Sequence, residues 1–164
     1  MSLHDLVGYA VAAVVSAALI AFLRRRRAAS ARAALQAGRP LSFECFLRAD
    51  AAPYPRRWRT GWVSVGIGLP TWKPRFSVIR RSVTLPASAT VEEVRRVNGI
   101  WESIVTNPDC WVIVARADQV TVRLAVLQID LEIALQALAS GSGGGWRVPA
   151  SHLEVATVDY RPEL

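Results

Sequence analysis

Between Leu6 and Leu23 the chain runs for 18 residues without a charge, then meets Arg24, Arg25, Arg26 and Arg27. As a helix this run would extend about 27 Å, close to the roughly 30 Å apolar thickness of a bilayer. A helix apolar on every side and followed at once by four arginines has no polar face to leave in water. The expected element is therefore a transmembrane anchor. A cleaved signal peptide carries its positive charge before the apolar region, and here the order is inverted. Positive residues stay cytoplasmic, so the expectation is a single-pass protein of the cell (inner) membrane, its N-terminus outside and residues 24–164 inside. Gly8, Ala12 and Ser16 recur at four-residue spacing, which would let a second copy of the helix approach closely. Six of the 18 residues are alanine, however, so chance supplies such a spacing readily.

The net charge of +7 resembles a nucleic-acid signature until it is located. Residues 24–39 contribute +6, whereas residues 40–164 hold 14 basic and 12 acidic groups. A domain this near neutrality is a poor phosphate-backbone binder, and no nucleic-acid partner is expected. The arginine-rich segment instead suits anionic headgroups beside an anchor. Cys45 and Cys110 lie 65 positions apart and have no metal-ligand spacing. Two reduced core thiols are favoured, with a disulfide left open. The segmentation that follows is an anchor at 1–23, a basic juxtamembrane segment at 24–39, a β domain at 40–140, and a Gly/Ser linker with tail at 141–164.

Beyond Pro40 the pattern changes to short alternating runs. Strands are predicted at Phe43–Arg48, Trp58–Ile67, Thr71–Arg75 and Phe76–Leu85, separated by turn-rich breaks. In the second, Trp58, Thr60, Trp62 and Ser64 share one face and Arg59, Gly61, Val63 and Val65 the other. Thr90–Val105 is ambiguous. Thr90 and Glu93 have capping-box spacing, but Asn98-Gly99 between two half-apolar runs favours a hairpin. Trp111–Arg116 and Val120–Leu127 are predicted as paired strands. The period then shifts to i, i+3, i+4, i+7 at Leu131, Ala134, Leu135 and Leu138, a helix capped by Asp130 and stopped at Gly141. Leu153–Tyr160 reads either as an edge strand or as a disordered end.

Six or seven strands followed by one helix suggest an α+β fold: behind the transmembrane helix, a small mostly-β partial barrel capped by the helix, in the pleckstrin-homology-like manner. The anchor, the arginine cluster, "RWRTGWV" at Arg57–Val63 and "VTVRLAVLQIDLEIALQAL" at Val120–Leu138 together resemble an uncharacterised family of small actinobacterial membrane proteins. The resemblance covers roughly residues 5–140 and departs at the linker and tail. It implies a membrane location and a compact β domain, and supplies no reaction, cofactor or catalytic residue.

Charge segregation is the most informative local feature. Between Ala51 and Val91 stand Arg56, Arg57, Arg59, Lys73, Arg75, Arg80 and Arg81 without an acid, while residues 92–164 carry −4. With Trp58, Trp62 and Trp72 interleaved, one face suits anionic headgroups. The competing reading is solvated strand edges with tryptophans in the core. The candidate binding residues are thus Arg24, Arg25, Arg26 and Arg27 beside the anchor, and Arg56, Arg57, Arg59, Trp62, Trp72, Lys73, Arg75, Arg80 and Arg81 on the domain. Residues 40–140 contain no histidine, so a Ser-His or Cys-His pair cannot be built there. Gly141–Gly145 lacks the lysine and flanking elements of a phosphate loop. No metal and no cofactor is expected. The leading expectation is a membrane-anchored, non-catalytic binding or scaffold module that engages a protein partner. A peripheral sensor of anionic lipid headgroups is the alternative.

Overall fold

The alternating runs fold as strands, and the computed structural model shows how they pair. It describes residues 37–66, 68–75, 82–140 and 145–158, preceded by Val15, Leu19, Phe22, Arg26, Ala29, Ser30, Ala31, Ala33 and Ala34. Strands β1 (Leu41–Ala49), β2 (Arg59–Val65), β3 (Thr71–Pro74), β4 (Val83–Thr84), β5 (Thr90–Arg96), β6 (Cys110–Ala117) and β7 (Val120–Leu127) form one antiparallel sheet. Its spatial order is β4-β3-β2-β1-β7-β6-β5, so the first strand of the domain lies in the middle and pairs with the last. Helices α1 (Ile100–Val105), α2 (Gln128–Ser140) and α3 (Ala150–Val158) accompany it.

The expected fold class is corrected by this architecture. The chain forms a seven-stranded antiparallel sheet with a few short helices, and no helix among the described residues is long and apolar enough to cross a membrane. The expected N-terminal transmembrane helix and the single-pass reading built on it therefore do not stand. Freedom from charge is only a precondition for a span, which needs one continuous apolar helix of sufficient length. Most of the run from Leu6 to Leu23 lies outside the described residues, as do Gly8, Ala12, Ser16, Arg24, Arg25 and Arg27. Helical residues reach Ala34 and end in a Schellman turn. The Ala37 N–H donates to the Ala33 carbonyl and the Arg39 N–H to the Ala34 carbonyl, around Gly38 at φ +62°.

The inner face of the sheet carries the main core. Phe43, Cys45 and Leu47 of β1, Val63 and Val65 of β2, Ile113 and Ala115 of β6, and Val122, Leu124 and Val126 of β7 all point into it. Helix α2 follows β7 without a loop and covers this face with Leu131, Ala134, Leu135 and Leu138, all buried. Each such leucine contributes about 1.5–3 kcal/mol relative to exposure. The helix starts two residues before Asp130, which lies buried in the first turn, where a carboxylate suits the positive end of the helix.

Three local expectations are revised. Thr90 and Glu93 belong to a strand, and Asn98-Gly99 does not turn a hairpin. Gly99 has φ 92° and ψ 151°, open to glycine but remote from the turn such a hairpin needs. The chain enters α1 there, and β5 pairs instead with β6. The tail after Gly145 is neither a strand at 153–160 nor loose where described. Trp146 is buried and donates its indole N–H to the Pro86 carbonyl at 3.0 Å. Arg147 bridges to Thr90 at the free side of β5, and α3 follows. Of the predicted strand Phe76–Leu85, residues 76–81 lie outside the described residues, and Val83–Thr84 forms β4.

Candidate anion-binding hollow

The outer face of the same sheet is the one that α2 leaves uncovered. Strand register places its residues in rows across the sheet. One row pairs Thr60, Phe46, Ala125, Val112 and Arg95, and the next brings Arg48 opposite Arg123 and Arg123 opposite Val114. A small second core forms here from Cys110, Val112, Val114 and Ala125, with Phe46, Trp58 and Val97 packed against it.

Above this floor lies a hollow of about 720 Å³ lined by Arg48, Arg56, Arg57, Arg59 and Arg95, with Glu102 the single carboxylate in its walls. Trp58 and Val105 supply its apolar surface, and Asn98 and Gly99 close one end. The arginines come from three places. Arg48 stands on β1, Arg56 and Arg57 just before β2 with Arg59 opening it, and Arg95 on β5.

Each placement has a physical cause. The segment between β1 and β2 is tied at both ends: the Ala49 N–H donates to the Pro55 carbonyl, and the Tyr54 hydroxyl to the Thr84 carbonyl at 3.0 Å. Asp50 accepts the Thr121 N–H at 2.9 Å, and that bond holds its carboxyl below the usual carboxylate range. Arg95 reaches the outer face because β5 is bulged between Val91 and Glu93. Strict alternation from Val91 would aim residue 95 into the core, and the extra residue reverses the phase.

Arg95 is then fixed by Glu102 of α1. Its Nη1 donates to Oε2 at 2.8 Å and its Nη2 to Oε1 at 3.3 Å, a fork-to-fork pair. The Asn98 N–H also donates to Oε2, at 3.1 Å. Burial opposes ionisation of Glu102, but the bonds from Arg95 and Asn98 and the positive fields of Arg95 and Arg48 outweigh it. Its pKa lies below the ordinary carboxylate value. Arg95 in turn is held protonated more firmly, chiefly by its bond to Glu102.

The hollow nevertheless remains strongly positive. Among the described residues, Arg48, Arg56, Arg57 and Arg59 form no salt bridge. Like charges directly opposite across a ladder are unfavourable, and Arg48 and Arg123 stand so.

The structure divides the residues singled out by sequence. Arg56, Arg57 and Arg59 converge on the hollow. Trp72 does not belong to a binding surface: it is 3% exposed and packs in the inner core, because its strand position shares the phase of Val63. A Cβ on Gly61 would lie 2.5 Å from its ring, so the glycine admits the indole. Trp62 is 39% exposed on the outer face, with Lys73 opposite it on β3. Arg75 is ion-paired with Glu44 and so is partly neutralised. Arg26 is exposed on the N-terminal helical segment and is not among the residues lining the hollow. Arg80 and Arg81 lie outside the described residues. Sequence reasoning missed Arg48, Arg95 and Glu102, which are 47 and 7 positions apart and meet only through sheet order and the bulge.

Cys45 and Cys110 are unpaired, buried thiols on opposite faces of the sheet. Burial pushes both upward, Cys110 to about 11. Among the described residues no group of three or more His, Cys, Asp or Glu side chains is placed to hold a metal ion. Compared with protein-family models, with curated proteins and with solved structures, the chain finds no match. The functional reading therefore rests on the residues themselves.

Proposed function

We propose that this protein is a non-catalytic binding module whose outer-face hollow receives an acidic segment of a protein partner. One observation carries the reading. Five arginines and a single carboxylate line one recess, and that recess has the size of pockets that enclose small groups. Such an excess of positive charge is unfavourable in isolation and becomes favourable when an anion enters. Arginine is the side chain suited to this task, because its planar fork matches carboxylate and phosphate oxygens in pairs. Stable strands supply Arg48 and Arg95, so part of the site is organised before binding.

Recognition of anionic lipid headgroups is the second reading, favoured by exposed Trp62 beside Lys73 on the same face. A labelled oligoglutamate peptide and phosphatidylserine vesicles separate the two. The expected result is peptide binding that weakens with salt and falls by about tenfold or more in the double variant Arg56→Glu/Arg57→Glu, while Lys73→Glu leaves it unchanged. Vesicle binding lost on Lys73→Glu, with no peptide binding, would replace the first reading by the second.

A further inference from the structure

We infer that the group seated in the hollow is a phosphoryl dianion borne on a side chain of the partner protein. This inference rests on the acidic-partner reading above and narrows its ligand.

The first argument is charge and donor number. Glu102 already engages Arg95 through both of its oxygens. Arg48, Arg56, Arg57 and Arg59 remain in the lining, and each guanidinium carries its own fork of N–H donors. One carboxylate accepts one such fork and leaves the others uncompensated. A phosphorylated side chain brings nearly two negative charges and three strong acceptor oxygens, enough for several forks at once.

The second argument is shape. The arginines line a recess, with Trp58 and Val105 as apolar walls. A recess of this kind accepts a projecting side chain, whose stem lies against the apolar wall while its tip reaches the guanidinium groups. A flat anionic surface meets protrusions instead, and Arg95, with its side chain only 31% exposed and clamped to Glu102, does not protrude.

The third argument concerns the surroundings. Glu93 lies beside Arg95, its carboxylate 3.6 Å from the guanidinium, and Glu92 pairs with Arg116 on the neighbouring strand. The Glu93 carboxylate beside Arg95 repels an extended sheet of negative charge more than a single compact dianion, because Coulomb repulsion grows with each added like charge. A positive recess with a carboxylate beside it favours a point charge over a plane of charge.

The test uses the full chain and follows fluorescence anisotropy of two labelled peptides of neutral, flexible sequence. One carries a central phosphoserine and the other two glutamates in its place, so that their charges match. Phosphatidylserine vesicles form a third arm. The phosphopeptide is expected to bind about tenfold tighter than its glutamate twin and to be displaced by inorganic phosphate. Its affinity should fall to that of the twin in Arg57→Glu and in the milder Arg56→Gln/Arg57→Gln, both at exposed positions that the fold does not use. Equal affinity for the two peptides would overturn the phosphoryl assignment and leave the acidic-partner reading intact. Binding to vesicles alone, or peptide binding indifferent to both variants, would overturn the two together.

Discussion

The two faces of one sheet follow opposite rules. On the inner face, cross-strand neighbours are apolar, α2 lies over them, and Leu47, Val63, Ile113, Val122 and Leu124 are shut away from solvent. On the outer face, the same strands present Arg48, Arg95 and Arg123 around a small apolar floor, with Arg48 and Arg123 set directly opposite one another. The inner face is consistent at every level, from alternation to packing. The outer face holds uncompensated charge where a sheet built only for stability would have dispersed it. The difference teaches that the strands are specified by one face, which leaves the other free to carry the proposed site. Proteins break local rules at sites of function and compensate elsewhere.

This division is open to direct attack, beginning with the inner face. Trp146→Ala removes a buried indole and leaves the Pro86 carbonyl without its donor. A loss of about 3–5 kcal/mol is expected in urea unfolding. A loss below 1 kcal/mol would show that the tail only rests on the core. Leu124→Ala, at the centre of β7, should cost about 2–5 kcal/mol by the same measurement.

The Arg95–Glu102 pair tests the boundary between the faces. Because folding lowers its pKa, Glu102 gives stability that is complete above its ordinary value of 4.5 and lost as pH falls through the lower, folded value. Glu102→Gln should therefore cost about 1 kcal/mol at neutral pH and flatten the acid limb of the stability curve. An unchanged acid limb would show that the pair does not hold α1 to β5.

The smallest effect on folding is expected on the outer face itself. Arg57→Glu should change unfolding stability by less than about 0.5 kcal/mol while weakening phosphopeptide binding about tenfold. A destabilisation comparable with Leu124→Ala would break the comparison, because the hollow would then be part of the structural core.

Much of the inner face was legible in the sequence, and little of the outer one. Alternation at Trp58–Ile67 and Val120–Leu127 marked β2 and β7, whose observed ranges are Arg59–Val65 and Val120–Leu127. The helical period at Leu131, Ala134, Leu135 and Leu138 named the face of α2 that is buried. These patterns persist because burial acts on every second or every third to fourth residue. The interval 90–105 resisted because one bulge residue and one glycine decide it, and neither leaves a periodic trace. Charge counting found Arg56, Arg57 and Arg59 but grouped them with Trp72, which the phase of β3 turns inward. Arg48 and Arg95 were hidden by distance along the chain. The uncharged run at Leu6–Leu23 predicts a membrane span by its length and the arginines that follow it, but no helix among the described residues has the length and apolarity required.

The central place of β1 has a consequence in time. It is the first strand of the domain to leave the ribosome, and β2 can pair with one side of it soon afterwards. Its other side waits for Val122–Ala125, more than seventy residues later in synthesis. During that interval a strand bearing Phe43, Cys45 and Leu47 holds an unpaired edge, the kind of surface on which nascent chains misassociate. Completion of the sheet is thus a late, long-range event, of the kind that slows folding.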